Sequence, residues 1–131
     1  MIKQTIIVPH ATAREVYDVL MDSKKHSDLT GDVAKIDAKV GGIFTAFSGY
    51  ADGKTTGLVP GKRIEQTWRA ADWPAGHYSK IVFELKDVAS GAEIRFTQTD
   101  LPSGTESEFV SGWEDNYWKP LKKYFTKSSK F

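Results

Sequence analysis

The chain has 131 residues, no cysteine, and 18 Lys and Arg against 17 Asp and Glu, which gives a net charge of +1. This length suits one domain, expected to span residues 1–131, and the lack of cysteine excludes disulfides, thiolate zinc sites and cysteine nucleophiles. The balanced charge argues against a general nucleic-acid binder, and no apolar stretch resembles a signal peptide or approaches the ~20 residues of a membrane span. We therefore expect a cytoplasmic protein that neither binds nucleic acid nor inserts into a membrane.

The first thirty residues predict a strand followed by two short helices. Residues 2–8 are rich in β-branched side chains and are followed by Pro9, which indicates a strand that ends there. The segment Thr12–Glu15 has the sequence of a capping box, and apolar residues recur after it at helical spacing. This pattern predicts a short amphipathic helix, and a second short helix is predicted over residues 22–29.

Residues 33–100 predict strands joined by short turns. The predicted ranges are 34–38, 42–48, 55–59, 63–69, 78–87 and 92–100. Turn signals between them include Asp52-Gly53, Pro60-Gly61 and Ser90-Gly91. Because every connection is short, we expect an antiparallel meander and not parallel strands joined by crossover helices.

A long helix is predicted near the C-terminus. The segment Thr105–Glu108 has the sequence of a second capping box, and the helix should run to about Phe125. Pro120 cannot donate a hydrogen bond back to Asn116, so a kink is expected there. The apolar face of this helix is expected to consist of Val110, Trp113, Tyr117, Leu121 and Tyr124, widened by Trp118 and Phe125.

The order of these elements predicts an α+β fold of the helix-grip type. A curved antiparallel sheet of about seven strands would wrap around the long C-terminal helix, with two short helices after the first strand. A curved sheet cannot fill its own concave face, so the helix must fill it. If the helix fills it incompletely, a cavity remains between helix and sheet.

Several segments give the chain a resemblance to a known family. It is similar to the activators of the heat-shock-protein-90 ATPase and their bacterial-type homologues, within the START-like superfamily. The resemblance covers nearly the whole chain, in the order of the family. The segments that carry it are Gly41–Phe44, Leu58–Ile64, Gln66–Arg69, Trp73–His77, Thr97–Thr99, Pro102, Gly112-Trp113 and Tyr117-Trp118.

The resemblance is closest to the C-terminal domain of the two-domain eukaryotic activator, and it implies a helix-grip fold and a heat-shock-protein-90-type chaperone as partner. In that activator a separate N-terminal domain makes the main contact with the chaperone. Because Met1 lies almost directly before the first strand, we expect no counterpart of that domain here. Single-domain relatives in the superfamily bind apolar ligands or act on them.

Two interpretations of the inward-facing side chains stay open. They pack a solid core, or they line a pocket for an apolar or amphipathic small molecule between the sheet and the helix. Gln66, Gln98 and Asp100 are expected to face inward, and they favour a pocket slightly, since buried polar groups need partners. The candidate ligand-binding residues are Phe44, Gln66, Trp68, Trp73, His77, Phe83, Phe96, Gln98, Asp100, Trp113, Tyr117 and Leu121.

The sequence indicates neither a catalytic group nor a cofactor. Ser48, Ser79 and Ser111 lack the context of a nucleophile elbow, and no two histidines have the helical spacing of a metal site. We therefore expect a non-enzymatic binding module, without metal or cofactor, that holds an apolar or amphipathic small molecule between the sheet and the C-terminal helix. The alternatives are a co-chaperone-like regulator that acts through its outer surface, and an enzyme of cyclase or hydrolase type on the same fold.

Overall fold

The structure, a computed structural model, describes residues 1–128, so the last three residues of the predicted domain lie outside the described part. The strands are β1 (Ile2–Val8), β2 (Lys35–Ile36), β3 (Ile43–Ala46), β4 (Ala51–Val59), β5 (Arg63–Ala70), β6 (Ser79–Val88) and β7 (Gly91–Thr99). The helices are α1 (Ala13–Met21), α2 (Ser23–Thr30), α3 (Glu106–Trp113), a π-helical turn (Glu114–Trp118) and α4 (Lys119–Ser128). We call the last three together the C-terminal helix.

The strands form one seven-stranded sheet in the order β1-β7-β6-β5-β4-β3-β2, and all neighbouring strands are antiparallel. The curved sheet, the two short helices after β1 and the C-terminal helix confirm the predicted helix-grip fold. The core lies between the sheet and the helices. Within the described residues, no helix has both the length and the apolar character needed to cross a membrane.

The start of α1 confirms the predicted capping box. The Thr12 hydroxyl accepts a hydrogen bond from the backbone of Glu15 at 3.1 Å, and the Glu15 carboxylate accepts one from the backbone of Thr12 at 2.9 Å. The Asp87 carboxylate, on β6, also accepts a bond from the backbone of Ala13 at 2.7 Å. These bonds satisfy backbone N–H groups at the start of α1 and attach the helix to the sheet.

The variant Thr12→Ala is expected to lower the free energy of unfolding by about 1 kcal/mol, because it removes the cap hydroxyl and breaks the box. Thr12 is exposed, so little packing is lost with the side chain. Urea unfolding monitored by circular dichroism measures the change. Thr12→Ser, which keeps the hydroxyl, should retain most of the stability, and an equal loss in both variants would contradict this role.

The predicted turn at Asp52-Gly53 is wrong, since both residues lie inside β4. A Cβ atom on Gly53 would lie 1.9 Å from the Thr67 carbonyl oxygen and 2.7 Å from the Phe44 ring. Gly53 is therefore required by the close approach of neighbouring strands and not by a turn. The turn occurs earlier instead, where Phe47 and Ser48 have positive φ angles of 54° and 56° and β3 has already ended at Ala46.

The C-terminal helix differs from the prediction at its start and in its middle. The Thr105 hydroxyl donates to the Pro102 carbonyl and makes no cap bond, so the second capping box is wrong. Val110 is exposed, and Phe109 takes the predicted place on the buried face. The helix widens into a π-helical turn that ends at Trp118, two residues before Pro120, and the rings of Trp113 and Trp118, five residues apart, stack on each other.

Candidate functional site

Aromatic side chains fill the space between the sheet and the C-terminal helix. The rings of Trp113 and Trp118 stack with their centroids 5.9 Å apart, and both contact Phe96 on β7, at 4.4 Å and 5.2 Å. Phe83 on β6 lies 5.1 Å from Phe96. A void of about 20 Å³ remains beside this cluster, which is room for about one water molecule. The interior is therefore packed nearly solid.

The glutamines that the sequence places on the inner face of the sheet bind to neighbouring side chains. The indole N–H of Trp113 donates to Gln98 at 2.8 Å, the Gln98 amide donates to the Ser79 hydroxyl at 3.0 Å, and that hydroxyl donates to the Trp68 carbonyl at 2.8 Å. The Gln66 amide donates to a buried Thr55 hydroxyl at 3.2 Å. These polar groups stabilise the core, and they do not need a ligand as partner.

A buried histidine lies against the same helix. The His26 Nε2 and the Tyr117 hydroxyl are 3.0 Å apart, and the two rings pack edge to face. Burial lowers the pKa of His26 from its usual value of 6.5 to about 4, and burial raises the pKa of Tyr117. The His26 Nδ1 is buried without a hydrogen-bond partner. Both side chains are therefore neutral near pH 7.

A larger cleft opens to solvent where the C-terminal helix meets β5 and the turn between β3 and β4. Its volume is about 350 Å³. Trp68, Trp113 and Tyr117 separate it from the interior void, because these side chains line both spaces. The other lining residues are Phe47, Tyr50, Asp72, Glu108, Phe109, Gly112 and Asn116. We call this space the aromatic cleft.

The loop between β5 and β6 packs beside the aromatic cleft. Trp73 is buried, with its ring 5.4 Å from Trp68 and 5.2 Å from Phe109. The His77 ring, half-buried, bonds through Nε2 to the backbone carbonyl of Asp100 at 2.8 Å. The side chain of Asp100 is exposed, so its predicted inward orientation is wrong. Asp100 has a positive φ of 65°, at the bend where β7 has ended, and the alternation of the strand no longer applies there.

The structure divides the predicted ligand-binding residues between several places. Trp68, Trp113 and Tyr117 line the aromatic cleft, and together with Phe44, Gln66 and Phe83 they line the interior void. Phe96, Gln98 and Leu121 are buried in the core and contribute to neither wall, and neither do the loop residues Trp73 and His77. Among residues 1–128 no group of three or more His, Asp or Glu side chains could hold a metal ion.

Sequence reasoning missed most of the cleft. Phe47 and Tyr50 reach it through the left-handed turn at 47–48, which the sequence does not indicate because neither turn residue is glycine. Phe109 could have been found, since it lies four residues before Trp113 on a helix and would share its face. Asp72 and Glu108 carry no sequence signal that separates them from ordinary surface carboxylates.

Comparison with known proteins identifies the family. Residues 10–126 match the family described as activator of Hsp90 ATPase homolog 1-like protein. This chain belongs to that family. It is 31% identical over 115 residues to an uncharacterised protein of Schizosaccharomyces pombe, covering 88% of this chain and 34% of the relative. It is 28% identical over 117 residues to an activator of 90 kDa heat shock protein ATPase homolog of Dictyostelium discoideum, covering 88% and 30%.

A solved structure agrees with the fold of this family member. The crystal structure of an HSP90 activator from Plasmodium falciparum superposes with a TM-score of 0.87 over 95% of both chains, at 21% identity. At that identity the likeness shows the fold alone. The chain spans about a third of the length of the curated relatives that it matches.

Proposed function

We propose that this domain is a non-enzymatic binding module that regulates an Hsp90-type chaperone through its outer surface. Relatives that share its family and fold are described as activators of that chaperone or of its ATPase. Those curated relatives are about three times as long as this chain, so their activity is carried over here as part of the proposal.

The packed interior is the observation that supports an outer surface as the place of action. The void between the sheet and the helix has about 20 Å³, whereas pockets for small molecules usually have about 300 Å³ or more. An apolar molecule between the sheet and the helix would have to displace Trp113 or Phe83 from the core. Function through exposed side chains requires no such rearrangement.

The segment 33–43 offers the best candidate contacts for a protein partner. Val33, Val40 and Ile43 are 54%, 60% and 65% exposed, which is unusual for large apolar side chains in one short segment. Val33 and Val40 flank β2, the last strand of the sheet, and Ile43 begins β3. The outer backbone N–H of β2 at Ile36 already donates to the Ser23 hydroxyl of α2 at 2.8 Å, so a partner would be bound through the exposed side chains and not by strand pairing. We propose that these exposed apolar side chains contact the chaperone.

The test is the ATPase rate of a purified Hsp90-type chaperone with rising concentrations of the domain, together with a direct binding measurement by calorimetry. We expect saturable binding and a changed rate. The double variant Val40→Thr, Ile43→Thr should weaken binding at least several-fold, while Val59→Thr, at an exposed apolar position on β4, should not. Absence of binding would refute the proposal, and binding with an unchanged rate would refute regulation of the ATPase.

The second candidate function is the binding of a small apolar or amphipathic molecule in the aromatic cleft. The observation that favours it is the volume of about 350 Å³, which lies within the usual range for ligand pockets. Three residues that the sequence proposed for ligand binding, Trp68, Trp113 and Tyr117, form its inner wall. The ligand would then lie at the rim of the fold and not in the interior between the sheet and the helix.

A further inference from the structure

The walls of the aromatic cleft consist mainly of aromatic rings. These rings come from three parts of the chain: the turn between β3 and β4, strand β5, and the C-terminal helix. Phe47 packs edge to face on Tyr117 at 5.6 Å, and Trp68 does so on Phe109 at the same distance. The six rings are those of Phe47, Tyr50, Trp68, Phe109, Trp113 and Tyr117. Such a lining offers π-electron density from several directions.

The charged groups of the cleft are all negative. Asp72 and Glu108 line it, and among the described residues no Lys, Arg or His does. Neither carboxylate forms an ion pair within the described part of the chain. The Tyr50 hydroxyl donates to Asp72 at 3.2 Å, so this hydroxyl is also occupied. The cleft therefore carries two carboxylates that no cation of the described residues pairs with.

Both carboxylates act on the same edge of the cleft. Burial is the main reason that the pKa of Tyr50 is raised, and the negative charges of Asp72 and Glu108 raise it further. Asp72 follows β5 and Glu108 is in the first turns of α3, so they approach Tyr50 from different elements. A ligand at this edge would experience the field of both carboxylates.

Two hydrogen-bonding groups on the inner wall bind to core residues and not to the cleft. The indole N–H of Trp113 is bound to Gln98, and the hydroxyl of Tyr117 is bound to His26. These two side chains therefore offer ring surface to a ligand and no free donor. A carboxylate or phosphate ligand would find two negative charges and few donors, which makes an anionic ligand unfavourable.

We propose that the aromatic cleft binds an organic ammonium ion with an apolar body. An ammonium group is attracted to the faces of Trp, Tyr and Phe, and the nearby carboxylates add a Coulomb attraction. The apolar body gains by leaving water among the rings. The inference rests on the second candidate function and adds the chemical class of the ligand.

The test compares three probes that share one apolar body. The whole chain is titrated with 2-phenylethylammonium, the neutral 2-phenylethanol and the anionic 3-phenylpropionate. Binding is followed by tryptophan fluorescence and by the NMR signals of the indole N–H groups of Trp68 and Trp113. We expect the ammonium probe to bind about ten-fold more tightly than the alcohol, from the combined cation–π and carboxylate attraction. The carboxylate probe should bind more weakly than both, and added salt should reduce the preference for the cation.

Variants of the carboxylates separate charge from shape. The double variant Asp72→Asn, Glu108→Gln keeps the side-chain volumes, and both positions are exposed, so the fold should persist. It should lose most of the preference for the ammonium probe while its affinity for the alcohol stays the same. Glu114→Gln is the matched control on the C-terminal helix, because Glu114 is on a different surface and should leave all three affinities unchanged.

The outcomes separate this inference from the proposal on which it rests. Equal affinity for alcohol and ammonium would refute the preference for cations and leave a ligand site in the cleft. If the double variant lost its affinity for the alcohol as well as for the ammonium probe, the preference for cations would also be refuted, since the substitutions change only the charge. No binding of any probe would refute both the preference for cations and the ligand site, and none of these three results would affect the chaperone proposal.

Discussion

Replacing Trp113 by phenylalanine is expected to lower the free energy of unfolding by about 2–4 kcal/mol. Trp113 is 3% exposed and packs on Phe96 at 4.4 Å, so the smaller ring leaves part of its volume empty. Its indole N–H is also the donor to Gln98, which is fully buried. Phenylalanine has no donor, so the Gln98 oxygen would lose its partner inside the core.

Trp118→Phe is the matched control for this effect, because it makes the same chemical change on the same helix. Trp118 is also buried, but its indole N–H donates to Gln4 at 3.0 Å, and Gln4 is half-buried on the edge strand β1. The Gln4 oxygen can turn to water after the substitution. We expect Trp118→Phe to cost about 1–3 kcal/mol less than Trp113→Phe in urea unfolding. Equal costs would show that the bond to Gln98 contributes little.

The sequence predicts the inner face of the sheet well because strand alternation is a local property. Gln66 and Gln98 are buried as their positions between apolar neighbours indicate. Their partners could not be predicted in the same way. Trp113 meets Gln98 only after the C-terminal helix has packed across the sheet, and that position depends on the whole fold.

The aromatic cleft was less predictable because its residues come from segments that break local rules. Phe47 belongs to a left-handed turn in a region predicted to be a strand. On the C-terminal helix Val110 was predicted to be on the buried face, whereas Phe109 is buried there and Val110 is exposed. The π-helical turn then changes the spacing of the buried residues, so that Trp113 and Trp118 align. Such irregularities have weak sequence signals and strong effects on the shape of a site.

The buried His26 should make the stability of the domain depend on pH in mildly acidic solution. Burial lowers the pKa of His26 to about 4 in the folded chain, whereas the unfolded chain has the usual value of 6.5. Above about pH 6.5 the ring is neutral in both states and adds no pH dependence. Below it, the unfolded chain takes up the proton first, so the free energy of unfolding falls as the pH falls toward 4.

The expected loss from this group is about 2 kcal/mol between about pH 7.5 and pH 5, rising to about 3 kcal/mol below pH 4. Urea unfolding of the native sequence and of His26→Gln across that range measures it, because glutamine can still bond to Tyr117 but does not titrate. As the pH falls, the native sequence should lose this amount of stability relative to His26→Gln. His10→Asn, at an exposed turn, should keep the pH dependence of the native sequence. If the pH dependence of His26→Gln equals that of the native sequence, other groups cause it and burial does not hold His26 neutral in the folded chain.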